Sequence, residues 1–343
     1  MRRGVLCAGA LTVDRVKRIA GWPQEEGLAE ILGEDRQGGA SSFNMAVDLV
    51  KLGADFPVAV QGLVGEDADG LFIRETLAGH GVDISSIASS DAAPSSYTEV
   101  MSDAATGRRT FFHRPGTNAV MGPEHLDVSG SNARYLHLGM PGIHERLDRP
   151  DGGHASGWVT VLRAARAAGM KTNVELVTLP AERIAAAARP LLPHLDLLIV
   201  NDAEIGATAG VRTVDGGRTD AAACLAAARA VMAAGAMELA VVHFPMGAIA
   251  VARDGAVVAQ PSVAAPPEAV AGANGAGDAF AAGVLLALHG RQGLREALVL
   301  GHAAAAASLR ALSTVGSVEP ADACLALAAR WGWRDPLPLD HPS

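Results

Sequence analysis

The stretch Ala273-Asn274-Gly275-Ala276-Gly277-Asp278-Ala279-Phe280 brings three small residues, a helix start and one carboxylate close together. Gly275, Ala276 and Gly277 have little or no side chain, so their backbone N–H groups can converge on an anion where a helix begins. Asp278 then falls in the first turn of that helix, where the positive end of the macrodipole favours an ionised carboxylate. Such a carboxylate can accept a proton from an attacking hydroxyl beside a hole for the transferring phosphoryl group. The same octet also fits an ordinary helix start.

Three further groups can do related chemistry. In Gly38-Gly39-Ala40-Ser41-Ser42-Phe43-Asn44 the glycines permit close backbone approach, and Asn44 can donate to and accept from a hydroxyl or simply cap a helix. Asn201-Asp202-Ala203-Glu204 follows the apolar run Leu197 to Val200, at the carboxyl end of a strand, where open α/β sheets place their ligands. Glu204 can help hold a hydrated Mg2+, and Asn201 or Asp202 can equally cap the next helix. Asp14, just after the first strand, can accept two hydrogen bonds from a vicinal diol, or stand solvated in a turn. Arg114 can pair with a substrate carboxylate or phosphate.

Missing motifs narrow the chemistry. No G-x-x-x-x-G-K-[ST] loop is present, and the three lysines, Lys17, Lys51 and Lys171, lie outside the Gly-rich loops. No G-x-G-x-x-G follows the first strand, which disfavours a dinucleotide dehydrogenase. The eleven histidines form no zinc pattern, and Cys7, Cys224 and Cys324 are too few and too dispersed for a disulfide framework, pointing to a reducing cytoplasm. With a net charge of −9, a pI near 5.6 and no run of apolar residues long enough to span a bilayer, neither nucleic acid nor membrane is an expected partner.

The elements that must position these residues alternate along the chain. Gly4 to Ala10, Pro57 to Val64, Arg134 to Leu138, Met170 to Leu176, Leu195 to Val200 and Met237 to His243 are short apolar runs that predict strands. Helices are predicted over Phe43 to Leu52, Ala68 to Ala78 and Ala221 to Ala234, each stopped by a glycine. The alternation predicts a mainly parallel sheet covered by helices on both faces. Segments at about 11–37 and 94–114 break it and predict a small β lid that keeps water from the reaction. The expected organisation is one α/β domain over 1–343 carrying this lid.

Taken in order along the chain, these residues resemble the ribokinase-like (PfkB) family of carbohydrate and nucleoside kinases. The resemblance implies a three-layer α/β/α fold, ATP and Mg2+ as cofactors, and a sugar, sugar acid, cyclitol or nucleoside as phosphate acceptor. By the same resemblance Asp278 is the catalytic base and Gly275 to Gly277 the anion hole. Asp14, Gly38, Gly39 and Asn44 hold the acceptor; Asn201 and Glu204 organise magnesium and the ATP phosphates; and Gly247 borders the nucleotide. A homodimer formed through the lid is a further implication.

The chain also departs from the family. It has one extra residue between Gly39 and Asn44. Gly272-Ala273 replaces the usual Asp-Thr, so the monovalent-cation site associated with that Asp does not carry over. His243-Phe244-Pro245-Met246-Gly247 replaces the usual nucleotide loop, and Lys171 to Leu176 lacks the Asp-Pro-Asn-x-Arg run of many fructokinases and ketodeoxygluconate kinases. The altered loop leaves room for an alternative, a catalytically silent sugar- or nucleotide-sensing protein on the same fold.

Overall fold

A computed structural model describes residues 2–106 and 108–339. Strands β1 (Val5–Gly9), β2 (Thr12–Ile19) and β3 (Ile31–Gly39) precede helix α1 (Ser41–Lys51). Next come β4 (Val58–Gly65), α2 (Ala68–Gly79), β5 (Asp83–Ser90), β6 (Tyr97–Asp103), β7 (Arg109–Arg114) and the short α3 (Thr117–Val120). The middle of the chain holds β8 (Tyr135–Gly139), α4 (Gly157–Ala167), β9 (Lys171–Glu175), α5 (Ala181–Ala188), β10 (Leu197–Asn201) and α6 (Asp202–Ala209). A two-residue ladder, β11 (Val214–Asp215) with β12 (Arg218–Thr219), leads into α7 (Ala221–Ala234), β13 (Leu239–Phe244), β14 (Gly247–Ala252) and β15 (Val257–Pro261). Helices α8 (Ala276–His289), α9 (Leu294–Ser308) and α10 (Ala321–Trp331) follow.

The six apolar runs read as strands are β1, β4, β8, β9, β10 and β13, and the three helices are α1, α2 and α7 within two residues at each end. Nine strands form one sheet in the order β15-β14-β13-β10-β9-β8-β1-β4-β5. Its pairings are parallel from β13 to β5, while β14 and β15 extend it antiparallel. Because both faces are covered, β1 is buried along its whole length, as the unbroken run Val5-Leu6-Cys7-Ala8 demands.

One core cluster packs α1, α2, α8, α9 and α10 on one face of the sheet; a second packs α4 to α7 on the other. Alanine and glycine let α8 and α9 approach closely: a Cβ on Gly283 would come within 2.8 Å of the Gly301 Cα. The helix starts follow local chemistry too. Asp67 caps α2 by accepting from the Gly70 N–H, and Asp220 caps α7 by accepting from the Ala223 N–H.

The lid is a separate four-stranded sheet, β3-β2-β6-β7, built from both segments that break the alternation. This sheet and its β2–β3 connection carry many of the large exposed apolar side chains, among them Trp22 and Leu28 in the connection and Ile31, Leu32, Phe111 and Phe112 in the strands. No helix of the described residues is long and apolar enough to cross a membrane.

Candidate active site

The lid, the N-terminus of α8 and the carboxyl ends of β9 and β10 enclose a cavity of about 610 Å3. Asp14, Asn44, Glu175, Asn201, Glu204, Gly275, Gly277 and Asp278 all line it. A second cleft of about 460 Å3 lies against α8 and α9, lined by His243, Phe244, Pro245, Ala276, Phe280, His302 and Arg334. Asn201 and Gly277 belong to both walls, so the cavities meet at the first turn of α8.

That turn depends on glycine. Gly275 precedes the helix with φ 77°, and a Cβ there would lie 2.4 Å from the Thr314 carbonyl oxygen, so both conformation and space exclude a side chain. Thr314 is itself fixed, its N–H donating to Gln37 Oε1 over 3.1 Å. At Gly277 a Cβ would meet the His243 ring at 3.3 Å.

Asp278 opens onto the first cavity, and Asn44 Nδ2 donates to its Oδ2 over 2.8 Å. Desolvation first, then the charge of Glu175 and a hydrogen bond between the two carboxyl groups, raise the Asp278 pKa well above the usual carboxylate range; the Asn44 amide opposes this. Glu175 is raised as well, mainly by desolvation. Asp278 Oδ1 and Glu175 Oε2 are both buried without a hydrogen-bond partner among the described residues, and the charge of Glu175 makes ionising Asp278 harder.

A buried network supports Glu175 from behind. His137 and Asn173 are register partners in β8 and β9, and their side chains meet at 2.9 Å between Asn173 Nδ2 and His137 Nδ1. The other ring nitrogen of His137 lies 2.6 Å from Ser41 Oγ and 3.4 Å from Glu175 Oε2. Burial lowers the His137 pKa to about 4, so the ring is neutral and adds no charge to the pair.

Asp14, on β2, is 8% exposed; desolvation and then the charge of Asp278 raise its pKa to about 7, while the Thr98 hydroxyl hydrogen-bonds it. Thr98 Oγ1 also lies 3.0 Å from Nδ1 of His113, its register partner on the neighbouring lid strand. Asn201 and Glu204 form a reciprocal cap on α6: Glu204 N–H donates to Asn201 Oδ1 over 2.9 Å, and Asn201 N–H donates to Glu204 Oε2 over 3.1 Å. Capping and cavity lining therefore coexist, since Glu204 faces the cavity and desolvation raises its pKa to about 7.

Other expected residues fall outside the two linings. Gly38 and Gly39 end β3, and their lack of side chain makes room for neighbours: a Cβ at 38 would strike the Phe43 ring at 2.0 Å, and one at 39 would lie 2.6 Å from the Asp14 carboxylate. Ala40 and Ser41 line the cavity instead, with Ala40 at φ 69° absorbing the chain reversal into α1. Arg114 stacks over Tyr97 at 5.8 Å and lines neither cavity. Its strand presents Phe111 and His113 to the cavity, and Arg109 shares their side by alternation. The Arg109 guanidinium comes within 3.0 Å of where a Gly272 Cβ would stand. Gly247 follows the Pro245-Met246 turn, pairs with Phe244 and Pro261, and borders neither cavity; the preceding residues His243 to Pro245 reach the cleft instead.

Glu175, His137 and Arg109 stand outside the residues that the sequence motifs point to. Glu175 has one sequence signal, an acidic residue at the carboxyl end of a buried strand, the position that Asn201 holds on β10.

Comparison with known proteins places this geometry. The model of the pfkB family carbohydrate kinases matches residues 5–321. An ATP-dependent ribose-1-phosphate kinase of Halopiger xanaduensis is 28% identical over 204 residues, 59% of this chain and 63% of the relative. An adenosine kinase of Schizosaccharomyces pombe is 36% identical over 117 residues, 33% of each chain. The chain thus spans less than two thirds of either relative's length. Among solved structures, Arabidopsis thaliana ribokinase complexed with ribose and ATP superposes with a TM-score of 0.76 at 20% identity, covering 96% of this chain and 99% of that one. Methanocaldococcus jannaschii nucleoside kinase superposes with a TM-score of 0.71 at 16% identity, covering 95% and 98%. These likenesses carry the fold. The family match runs through both sheets and both cavities, and on it the chain belongs to the pfkB family of carbohydrate kinases.

Proposed function

We propose that this protein transfers a phosphoryl group from ATP to a hydroxyl of a small polyol, with Asp278 as general base. The observation that carries this reading is the meeting of two cavities at one helix turn, with Asp278 facing the first and the glycine beside it in both walls. An acceptor on one side and a nucleotide on the other would bring hydroxyl and phosphoryl group together there. The acceptor oxygen attacks the γ-phosphorus, the bond to the β-phosphate oxygen breaks, and the hydroxyl proton passes to Asp278. The backbone N–H groups at the start of α8 face the charge that develops on the transferring group. Asn44 and Asp14 orient the acceptor.

The cleft suits a nucleotide: Phe244, Pro245 and Phe280 offer apolar surface to a base, His243 and His302 are held neutral by burial at about pKa 4 and 3, and Arg334 adds a positive charge. Glu204 fits a hydrated magnesium ion, because Oε2 is engaged by the Asn201 N–H while Oε1 has no partner among the described residues. No group of three or more His, Cys, Asp or Glu side chains that could hold a metal ion occurs among those residues. Bound magnesium would neutralise charge on the ATP phosphates.

The test is acceptor-dependent ADP release with ATP and magnesium, comparing wild type with Asp278→Asn. The expected loss in kcat is about a thousandfold with the fold intact. A variant that keeps nearly full rate removes Asp278 as the base. Thermal stabilisation by sugars or nucleotides with no ADP from any acceptor would favour the silent sensor.

A further inference from the structure

The family match ends at residue 321, where α10 begins, and the chain beyond that helix reaches the second cleft. Gly332 follows α10 at φ 80°, a left-handed conformation that glycine adopts without strain. Residues 332–334 then run antiparallel to 262–264. Trp333 bridges Val263, the Ala264 N–H donates to the Gly332 carbonyl over 2.8 Å, and the Arg334 N–H donates to the Ser262 carbonyl over 2.9 Å. Pro336 and Pro338 lack an N–H and disfavour helix in the residue before them, so the chain continues as an extended strap. Leu337 stops against Gly247, its methyl carbons 3.0 Å from where a Cβ would stand there, and Leu337 and Leu339 pack on the second core cluster.

The strap is tied to the turn between β13 and β14. Ser262, whose carbonyl takes the Arg334 N–H, donates its own N–H to the Met246 carbonyl over 3.0 Å and its hydroxyl to the Pro245 carbonyl over 2.7 Å. Just ahead of that turn the His243 ring lies 3.3 Å from where Gly277 would carry a Cβ. A short run of contacts thus joins Arg334 to the first turn of α8, where the transferring phosphoryl group would sit.

Surface arginines are commonly just solvated. Arg334 differs in its place: it lines the cleft, and among the described residues its guanidinium has no ion pair and no hydrogen bond. No other lysine or arginine among the described residues lines the cleft; its carboxylate, Asp202, is bonded to the Thr219 hydroxyl, and both its histidines are kept neutral by burial. A nucleoside triphosphate is a polyanion, and one side-chain cation stands in this wall to meet it.

We propose that the C-terminal strap, residues 332–339, is part of the nucleotide site and that Arg334 pairs with the phosphates of the bound nucleotide. The inference rests on the kinase reading above and adds to it a binding residue from beyond the family match. The bonds to Ser262 and the seat of Leu337 on Gly247 fix the backbone from which the guanidinium reaches the cleft, so the strap acts as a wall of the site.

The experiment measures the dissociation constant of ATP with magnesium by calorimetry, at low and at high salt, for the full chain and for Arg334→Gln, Arg334→Lys and Arg330→Gln. Arg330 is exposed near the end of α10 and lines neither cavity, so its variant controls for surface charge. Arg334→Gln should weaken ATP about tenfold or more at low salt, and the difference should shrink as salt screens the pair. Arg334→Lys should recover part of the loss, because an ammonium keeps the charge, while Arg330→Gln should bind as wild type does. Unchanged affinity in Arg334→Gln, or an equal loss in Arg330→Gln, overturns the inference and leaves the kinase reading standing. A loss that ignores salt and is not recovered by lysine places the guanidinium on the base and overturns the phosphate pairing. If wild type binds no ATP, both readings fall; if ATP binds with the expected pattern and no acceptor yields ADP, the kinase reading alone falls.

Discussion

The two cavities that meet at Gly277 are built from opposite materials. The acceptor side gathers Asp14, Glu175, Glu204 and Asp278 with no basic side chain among the described lining residues. The nucleotide side is largely apolar; its one carboxylate, Asp202, is bonded to the Thr219 hydroxyl, and its two histidines are kept neutral. Proton abstraction needs basicity, which crowded, desolvated carboxylates supply by raising one another's pKa. A polyanionic nucleotide would be repelled by the same crowd. On the reading proposed above, the division would keep the base strong and leave the phosphates to backbone N–H groups, cations and Arg334.

The sharpest way to break this comparison is Glu175→Gln. If the charge of Glu175 holds the Asp278 pKa up, removing it should lower that pKa, move the acid limb of kcat/KM to lower pH and reduce kcat by about ten- to a hundredfold. A structural role alone would change thermal stability and leave the pH profile in place. An unmoved acid limb would mean that crowding on the acceptor side does not set the strength of the base.

Asn44→Ala probes the same carboxylate from the other side. Asn44 donates to Asp278 and so favours its ionised form; its loss should move the acid limb to higher pH, opposite to Glu175→Gln. Because Asn44 lines only the acceptor cavity, KM for the acceptor should rise about tenfold while KM for ATP stays nearly constant. Equal increases in both would show that the two sides are not separable at α8.

The sequence exposed the acceptor side more fully than the nucleotide side, for physical reasons. Gly275 is legible because left-handed backbone pressed against a carbonyl leaves glycine as the fitting choice, and Asp278 because it follows that turn. The parallel strands are legible because two-sided burial enforces unbroken apolar runs such as Leu197 to Val200. Glu175 depends on pairing that no local pattern reveals: the register that joins His137 to Asn173 also sets Glu175 beside Gly139 at the sheet's carboxyl edge. Arg114 shows the cost of one residue in a strand, since alternation turns it away and brings His113 to the cavity. More than half of the residues lining the second cleft are alanine, valine, leucine or phenylalanine, types that look the same in a site and in a core.

Asp48 tests whether every buried carboxyl group on the acceptor side belongs to the site. It lies one turn beyond Asn44 on α1, is fully buried, lines neither cavity, and has no hydrogen-bond partner for either oxygen. Desolvation, followed by the charge of Asp278, raises its pKa well above the usual range, with Lys51 opposing. The raised pKa fixes the sign of its effect. Below the unfolded-state value, near 4, both states carry the proton and nothing is lost; as pH rises from there towards the folded-state value, the unfolded chain releases the proton first and folding stability falls. Asp48→Asn abolishes that release. The variant should gain on the order of 1 kcal/mol at pH 8, and the gain should shrink towards zero as pH approaches 4. Turnover should stay close to wild type, because the distinction drawn here is between carboxyl groups that open on the cavity and one that does not. A loss of activity comparable with Glu175→Gln, at unchanged stability, would make Asp48 a member of the carboxylate group that sets the base and extend the acceptor side inward along α1.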